Sequence, residues 1–567
     1  MTVDSIHKRG NFQMRFGIAG AGLLSLGLLT SAAVGQGPGN IQSFRNSSGI
    51  LRTFSSAGMI DRSNPFFKPI GRAFPITCEH CHFASEAWGI SGAHAAQLFN
   101  STAGAHPLFT APTGSDFLAA QIPANVATLA QKHTMYNLMI DKGLALVRRT
   151  WPAATADFSI MGVIPPAGFA VGQTPTMVPT PDGAGMMIDG AWYLAYTASS
   201  NGGVPQIWTY RRPIPTTNFR FVTTASWDGQ DTRQFPDPIR RPTSSGIFDI
   251  SSSTIRGRET GPSLIAFDGH TILPAEQAAL AQQIVDFMFS TTTSQDSDTL
   301  AGALNANGAA GGINSLINNV NYYGINDVLE GDLMVVPTAV SPFVKEVYSG
   351  AAFTGNVFNL YDGWAGSANA ARASIARGQA LFNQTNRMNI DDVNGIQSYN
   401  RTNGVGGIGT SGATITLPDS RVIPGLSGPV PGSLAGCVTC HDAPNIGNHS
   451  TRLAINIGVG DVLPATSANN TNANFNNSGL PVFYLRQNST GDIVKTTDPG
   501  RATISGRWAH IGQFKGPVLR GLVNRAPFFH SGAATDLKAV IDFYSVRFGA
   551  NFTPQETTDL VAFLKTL

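Results

Sequence analysis

Cysteine is nearly missing from this chain: four among 567 residues, at positions 78, 81, 437 and 440. Charge is scarce as well. Asp, Glu, Lys and Arg make up 13% of the sequence, against an ordinary level of about 25%. The net charge is only +2, which gives no basis for binding nucleic acid or an anionic surface. The exterior must then be covered largely by Asn, Ser, Thr and Gly. The run Phe16–Leu29 is apolar, but it is short for a membrane span and broken by Gly. Lys8, Arg9 and Arg15 precede it, and Thr30-Ser31-Ala32-Ala33-Val34-Gly35 follows. A basic start, a short apolar stretch and small residues describe a secretory signal. The expectation is a periplasmic or secreted chain, with no membrane span once residues 1–35 are removed. What is plentiful is punctuation: 62 Gly and 34 Pro predict long irregular loops around a modest helical scaffold.

The few cysteines fall in two copies of one pattern, Cys78-Glu79-His80-Cys81-His82 and Cys437-Val438-Thr439-Cys440-His441. Two thiols three apart share a helical turn, so both can add to the vinyl groups of one porphyrin. The adjacent His then falls beneath the iron as its proximal ligand. That spacing is the signature of c-type haem attachment. A pair of disulfides would leave both histidines unexplained. A zinc ribbon would not separate its halves by hundreds of residues. Two copies consume every Cys, so the reading is two covalent haems, on Cys78/Cys81 and Cys437/Cys440, with His82 and His441 as axial ligands. Haem attachment of this type takes place outside the cytoplasm, in agreement with the signal.

Along the chain, 36–77 is loop-like, and 123–149 has the apolar pattern of a helix. Residues 157–225 resemble strands and turns, with Ile207-Trp208-Thr209-Tyr210 and Phe219-Arg220-Phe221-Val222 as candidates. Arg211 and Arg212 read as a solvated pair, with a haem propionate as the rival partner. Pro274-Ala275-Glu276 opens a helix with Leu280, Ile284, Phe287 and Met288 on one face. Thr553-Pro554-Gln555-Glu556 is a capping box before a stripe of Leu560, Phe563, Leu564 and Leu567. A haem motif upstream and such a helix at the end, twice over, predicts two tandem cytochrome-c-like domains. The expected fold is mainly α with long irregular loops and some β. Its divisions are a signal at 1–35, an N-terminal haem domain at 36–295, a linker or insertion at 296–375, and a C-terminal haem domain at 376–567. Ala371 to Phe382 reads as the entry helix of the last.

A further run is Phe514-Lys515-Gly516-Pro517-Val518-Leu519-Arg520, then Ala526-Pro527-Phe528-Phe529-His530-Ser531-Gly532, then Tyr544 fourteen positions after His530. With Trp227-Asp228-Gly229 and the two haem motifs, it resembles the bacterial dihaem cytochrome c peroxidase superfamily. That superfamily includes the dihaem enzyme of methylamine utilisation (MauG-like) and the dihaem rubber oxygenases. The long stretch from Trp227 to Cys437 is similar to the long-insertion, rubber-oxygenase-like branch. Gln230 and Ser226 depart from the family's usual Arg and aromatic. The resemblance implies that the first haem is open and catalytic and the second closed, with Trp227 as an electron relay between them. It implies a sixth ligand for the second iron at Tyr544, the position at which the tryptophan-maturing relative has Tyr and peroxidases Met; His530 is the rival. A family calcium ion would use a hydroxyl residue where this chain has Arg525, so Ca²⁺ is not carried over.

Peroxide cleavage needs a base that moves a proton between the two oxygens. No Glu stands at the family's short distance after the Trp turn. Glu259 and His270 are the nearest choices, with His94 and His106 as further candidates for the distal side and His94 also as a resting-state ligand. His449 reads either as a propionate partner or as a surface-loop residue. Two functions compete. One is a haem-dependent, peroxidase-like oxidoreductase that takes H₂O₂ or O₂ and draws electrons from a periplasmic donor protein, with an oxygenase on an apolar substrate as its variant. The other is a non-enzymatic electron-transfer cytochrome with both irons closed.

Overall fold

The computed structural model describes residues 40–69, 77–109, 127–150, 156–164, 196–197, 205–229, 240–242, 248–250, 274–322, 324–327, 333–338, 341–348, 351–388, 415–416, 422–423, 436–451, 454–462, 475–548 and 550–567. The N-terminal run to Gly35, Glu259 and His270 lie outside them. Short helices and small antiparallel sheets alternate along the chain, so the architecture is mixed α/β, with more strand than the mainly helical expectation. No helix of the described residues is long and apolar enough to cross a membrane.

Residues read as loop from sequence form a hairpin, β1 (Ile41–Asn46) and β2 (Gly49–Ser55). The next elements are the helices α1 (Gly92–Ser101), α2 (Leu129–Met135) and α3 (Asn137–Lys142). The helix expected to run to 149 stops at Gly143, whose left-handed φ of 62° ends α3. Residues Ala145–Thr150 continue instead as a strand, β3, paired with β4 (Pro205–Arg211). The strand expected at 207–210 is therefore present. Phe219–Phe221 is a 3₁₀ turn rather than a strand, entered through Asn218 at φ 62°.

The helix opened by Pro274 is α4 (Pro274–Ser290), which buries Ile284, Phe287 and Met288 as its pattern predicts. It leads straight into β5 (Thr291–Asp298), which pairs with β2. Thr291, Thr292, Thr293, Ser294 and Gln295 of this strand are all buried. Buried polar groups need partners, and these have them. Thr293 Oγ1 lies 2.8 Å from Thr53 Oγ1 and 2.9 Å from Thr217 Oγ1. Asn218 exchanges two 3.0 Å bonds with the Thr293 backbone. A chain with little charge builds part of its interior from neutral hydroxyls and amides.

The C-terminal half centres on α5 (Ala370–Phe382), α6 (Leu537–Phe548) and α7 (Pro554–Leu564). Thr553 caps α7 by accepting from the Glu556 N–H, with the reciprocal bond of a capping box in place. Leu560, Phe563, Leu564 and Leu567 are buried together with Ile375 and Phe382. Leu304, Val357, Phe358, Tyr361 and Trp364, from the stretch expected as a linker, enter the same core. The helices α5 and α7 meet at Gly378, where a Cβ would lie 2.0 Å from the Asp559 carbonyl oxygen.

Candidate haem centres

Cys78–His80 forms a single 3₁₀ turn. The Cys78 carbonyl accepts from the N–H of Cys81 at 3.2 Å and of His82 at 3.1 Å. The Thr77 N–H donates to His80 Nδ1 at 3.0 Å. His82 Nδ1 sits 3.0 Å from the Trp88 carbonyl oxygen, six residues on. That acceptor fixes the proton on Nδ1 and leaves the lone pair on Nε2, the tautomer a metal-ligating imidazole needs. Burial pushes the His82 pKa down to about 4, against the pull of that hydrogen bond, so the ring is neutral. Trp88 is fixed in turn. Its indole N–H donates to Thr53 Oγ1 at 3.0 Å, and its ring packs on Phe66 and Phe287. Ala87 and Trp88 both hold positive φ, at 52° and 60°, a conformation that non-Gly residues adopt only when the surroundings impose it.

The second motif repeats this design. Cys437–Thr439 is a 3₁₀ turn, and the Cys437 carbonyl accepts from Cys440 at 3.2 Å and His441 at 3.0 Å. Gly436 N–H donates to Thr439 Oγ1 at 3.0 Å, so Thr439 serves where His80 serves in the first copy. His441 Nδ1 donates to the Gly447 carbonyl, again six residues on. Burial lowers its pKa to about 4 as well. None of the four thiols is in a disulfide, and burial pushes Cys81, Cys437 and Cys440 up to about 12, keeping them neutral. Among the described residues the cysteines do not gather into a metal cluster; the group that does is Asp327, Asp442 and His449. Neither disulfides nor a zinc ribbon is formed.

A cavity of about 1540 Å³, counting the space at its mouth, opens beside the second motif and is lined by Cys437, Cys440 and His441. Phe382, Ile455, Phe514, Leu519 and Phe548 make its wall apolar. An apolar wall, two thiols outside any disulfide and an Nδ1-anchored His fit a porphyrin. Trp227, His530 and Tyr544 line the same cavity. Trp227 is buried on a turn begun by Ser226 at φ 57°, and its indole N–H donates to the Arg212 carbonyl at 2.8 Å. Its ring lies edge-on to His530 at 6.3 Å. His530 stacks on Phe514 at 3.8 Å, and neither of its ring nitrogens has a hydrogen-bond partner. Burial pushes its pKa down to about 4. Tyr544 stacks on Phe548 at 5.9 Å, in a cluster against which Cys437 and Cys440 also pack. Burial, followed by the two nearby thiols, holds its phenol above the usual range.

The other candidates are distributed as follows. His94 lies tilted against Phe83, next to His82, at 4.3 Å and is 3.4 Å from a carboxylate oxygen of Glu86. His106 is edge-on to His80 at 5.1 Å. Both therefore border the first motif, and Glu86, four residues after His82, joins them unforeseen. Arg211 and Arg212 are not a solvated pair; both are buried. Arg211 lies between two buried carboxylates, Asp228 at 2.5 Å and Asp498 at 2.6 Å, which hold its pKa above the usual value against burial. Their sequence separations of 17 and 287 hide the arrangement from a local reading. His449 is not a surface residue either: it is buried 3.2 Å from Asp442, the residue after His441. At position 525 a guanidinium donates to the carbonyls of Val518 and Arg520.

No family model matches the chain. A cytochrome-c peroxidase of Denitromonas iodatirespirans is 32% identical over 147 residues, 23% of this chain and 36% of that protein. A cytochrome c551 peroxidase of Nitrosomonas europaea is 26% identical over 134 residues, 24% of this chain and 30% of that protein. The chain thus spans about a third of the length of the curated relatives it matches. A crystal structure of a MauG-like protein associated with microbial copper homeostasis is similar at 15% identity and a TM-score of 0.24, over 66% of this chain and 78% of that one.

Proposed function

For a chain related to the bacterial dihaem cytochrome c peroxidase and MauG-like superfamily, we propose the role of an exported dihaem c-type oxidoreductase with peroxidase-like chemistry. Cys78 and Cys81 hold one haem and Cys437 and Cys440 the other, in tandem domains spanning 36–295 and 376–567. The observation that carries the reading is the repeat of one local design. Each motif is a 3₁₀ turn whose His anchors Nδ1 on the carbonyl six residues later and so presents Nε2. A c-type haem supplies an iron that changes oxidation state and, with its sixth position open, takes H₂O₂ or O₂.

The chain's own residues divide the work. His82 orients the open centre at the first motif. His441, with Tyr544 or His530, would hold the second haem, whose chemistry there would be electron transfer. Trp227, held by its bond to the Arg212 carbonyl, offers an aromatic step between them. Reduction of peroxide to two waters takes two electrons, from a periplasmic donor protein, and two protons. Glu259 or His270 handles those protons. Haem content and the ferric spectrum test the reading. Two haems per chain are expected, one high-spin and one low-spin, with peroxide turnover from a reduced small cytochrome. A single haem contradicts it. Two low-spin haems without turnover make the chain an electron carrier instead. Trp227→Phe should leave both spectra intact and slow electron transfer between the haems; unchanged transfer returns Trp227 to a packing role.

A further inference from the structure

The cavity beside the second motif has an unbalanced wall. Three of its lining residues carry positive charge, Arg212, Lys515 and Arg525, and no Asp or Glu of the described residues lines it. Arg212 is buried and Arg525 half-buried. Arg212 donates to the carbonyls of Lys142 at 2.9 Å and Arg525 at 3.0 Å. Arg525 donates to those of Val518 at 2.9 Å and Arg520 at 3.1 Å. Carbonyl oxygens satisfy N–H groups but neutralise no charge. Among the described residues, neither guanidinium forms an ion pair with a carboxylate. Burial, and after it repulsion from Arg525, pushes Arg212 down to about 9 against the attraction of Glu86.

Glu86 attracts Arg212 without forming an ion pair with it and lies 3.4 Å from His94, while the carboxylates around the neighbouring Arg211 are already engaged. Asp228 and Asp498 both bind Arg211. Two adjacent cations at the edge of an apolar cavity are costly without an anion. A guanidinium fork also matches a carboxylate in geometry as well as charge. Such a wall is built for an anionic ligand whose body is apolar.

We infer that Arg212 and Arg525 are the binding site for the propionate carboxylates of the haem held by His441, keeping them ionised and pairing their charge. The inference rests on the dihaem reading and adds which residues set the charge state of the second haem. It also links that haem to the relay, because the residue whose carbonyl holds the Trp227 indole is the one that would hold the propionate.

Potentiometric titration of the holoprotein, with the two haems resolved by spin state, tests it. Propionates paired with arginine stay ionised, so the midpoint potential of the second haem should be flat between pH 5 and pH 8. Arg212→Gln and Arg525→Gln each remove a positive charge. Each should lower that midpoint, introduce a pH dependence in the same window, and leave the first haem unmoved. Arg212→Lys and Arg525→Lys retain the charge and should restore most of the midpoint. A one-proton-per-electron slope in the unmodified protein overturns the inference, and that measurement stands even if the Gln variants fail to fold. Gln variants with unchanged midpoint and slope overturn it equally. Absence of haem on Cys437 and Cys440, read from intact mass, instead overturns the dihaem reading itself.

Discussion

At the scale of single residues, the open choice is between Tyr544 and His530 at the second centre. Both line the cavity, and neither is charged in the folded chain, since burial raises the one and lowers the other. They differ in their neighbours. His530 is stacked at 3.8 Å on Phe514 and faces the Arg211 ion-pair group, with Asp498 3.8 Å from Nε2. Tyr544 packs against the same apolar cluster as Cys437 and Cys440. A phenolate is a hard anionic donor that favours the ferric state, and a ferric iron can offset the burial that keeps the phenol protonated. Tyr544→Phe is therefore expected to convert the second haem to high spin, while His530→Ala leaves it low-spin. Magnetic resonance of the ferric protein separates the two, and the reverse pattern makes His530 the ligand. The two matching turns at Cys78–His82 and Cys437–His441 were legible because both copies keep the same residue types at the same spacing. The burial of Arg211, Arg212 and His449 was not, because it depends on how distant segments pack around them.

At the scale of elements, caps and apolar stripes were readable and buried polar strands were not. α7 begins and ends as its capping box and stripe predict, because those signals are local. The strand Thr291–Asp298 carries no apolar alternation, and its burial depends on hydroxyls and amides from residues 53, 217 and 218. The α5–α7 contact has a legible Gly with an illegible reason. Gly378 lowers the helix propensity of α5, and Ala would favour the helix by about 1 kcal/mol. Sterics oppose this: the added Cβ would stand 2.0 Å from the Asp559 carbonyl and 2.7 Å from the Phe563 Cβ. Separating the helices would also loosen the Ser374 and Arg377 bonds to Asp559. Overpacking of this kind typically destabilises by about 1–3 kcal/mol, and the contact here is with backbone, which cannot rotate away. Gly378→Ala should lower the denaturant midpoint; an equal or higher midpoint would mean that the helices separate without penalty.

At the scale of the whole molecule, a chain poor in charge keeps several titratable rings inside, which ties its stability to pH. Burial pushes His106, His510 and His530 each down to about 4, against about 6.5 in an unfolded chain. Between those values the unfolded chain takes up protons that the folded chain refuses. Stability therefore falls as pH drops through the window, by at most about 1.4 kcal/mol per pH unit for each fully buried ring. His106 is only half-buried and contributes less, since solvent screens it. Asp461 acts in the opposite sense. Burial raises its carboxyl to about 6, so the folded chain holds a proton that the unfolded chain releases, and its contribution is lost as pH rises through that value. His449, which Asp442 raises against burial, acts in the same sense as Asp461; against these two stand the lowered rings of His80, His106, His510 and His530, and the lowered rings prevail over most of the window. His82 and His441 are left out of this balance, because a haem iron on Nε2 would block their protonation. The denaturant midpoint followed by tryptophan fluorescence should be flat from pH 8 to pH 7 and fall from pH 7 to pH 5. A midpoint that holds steady down to pH 5 would mean that these rings are protonated as readily in the folded chain as in water, and hence that they are not buried.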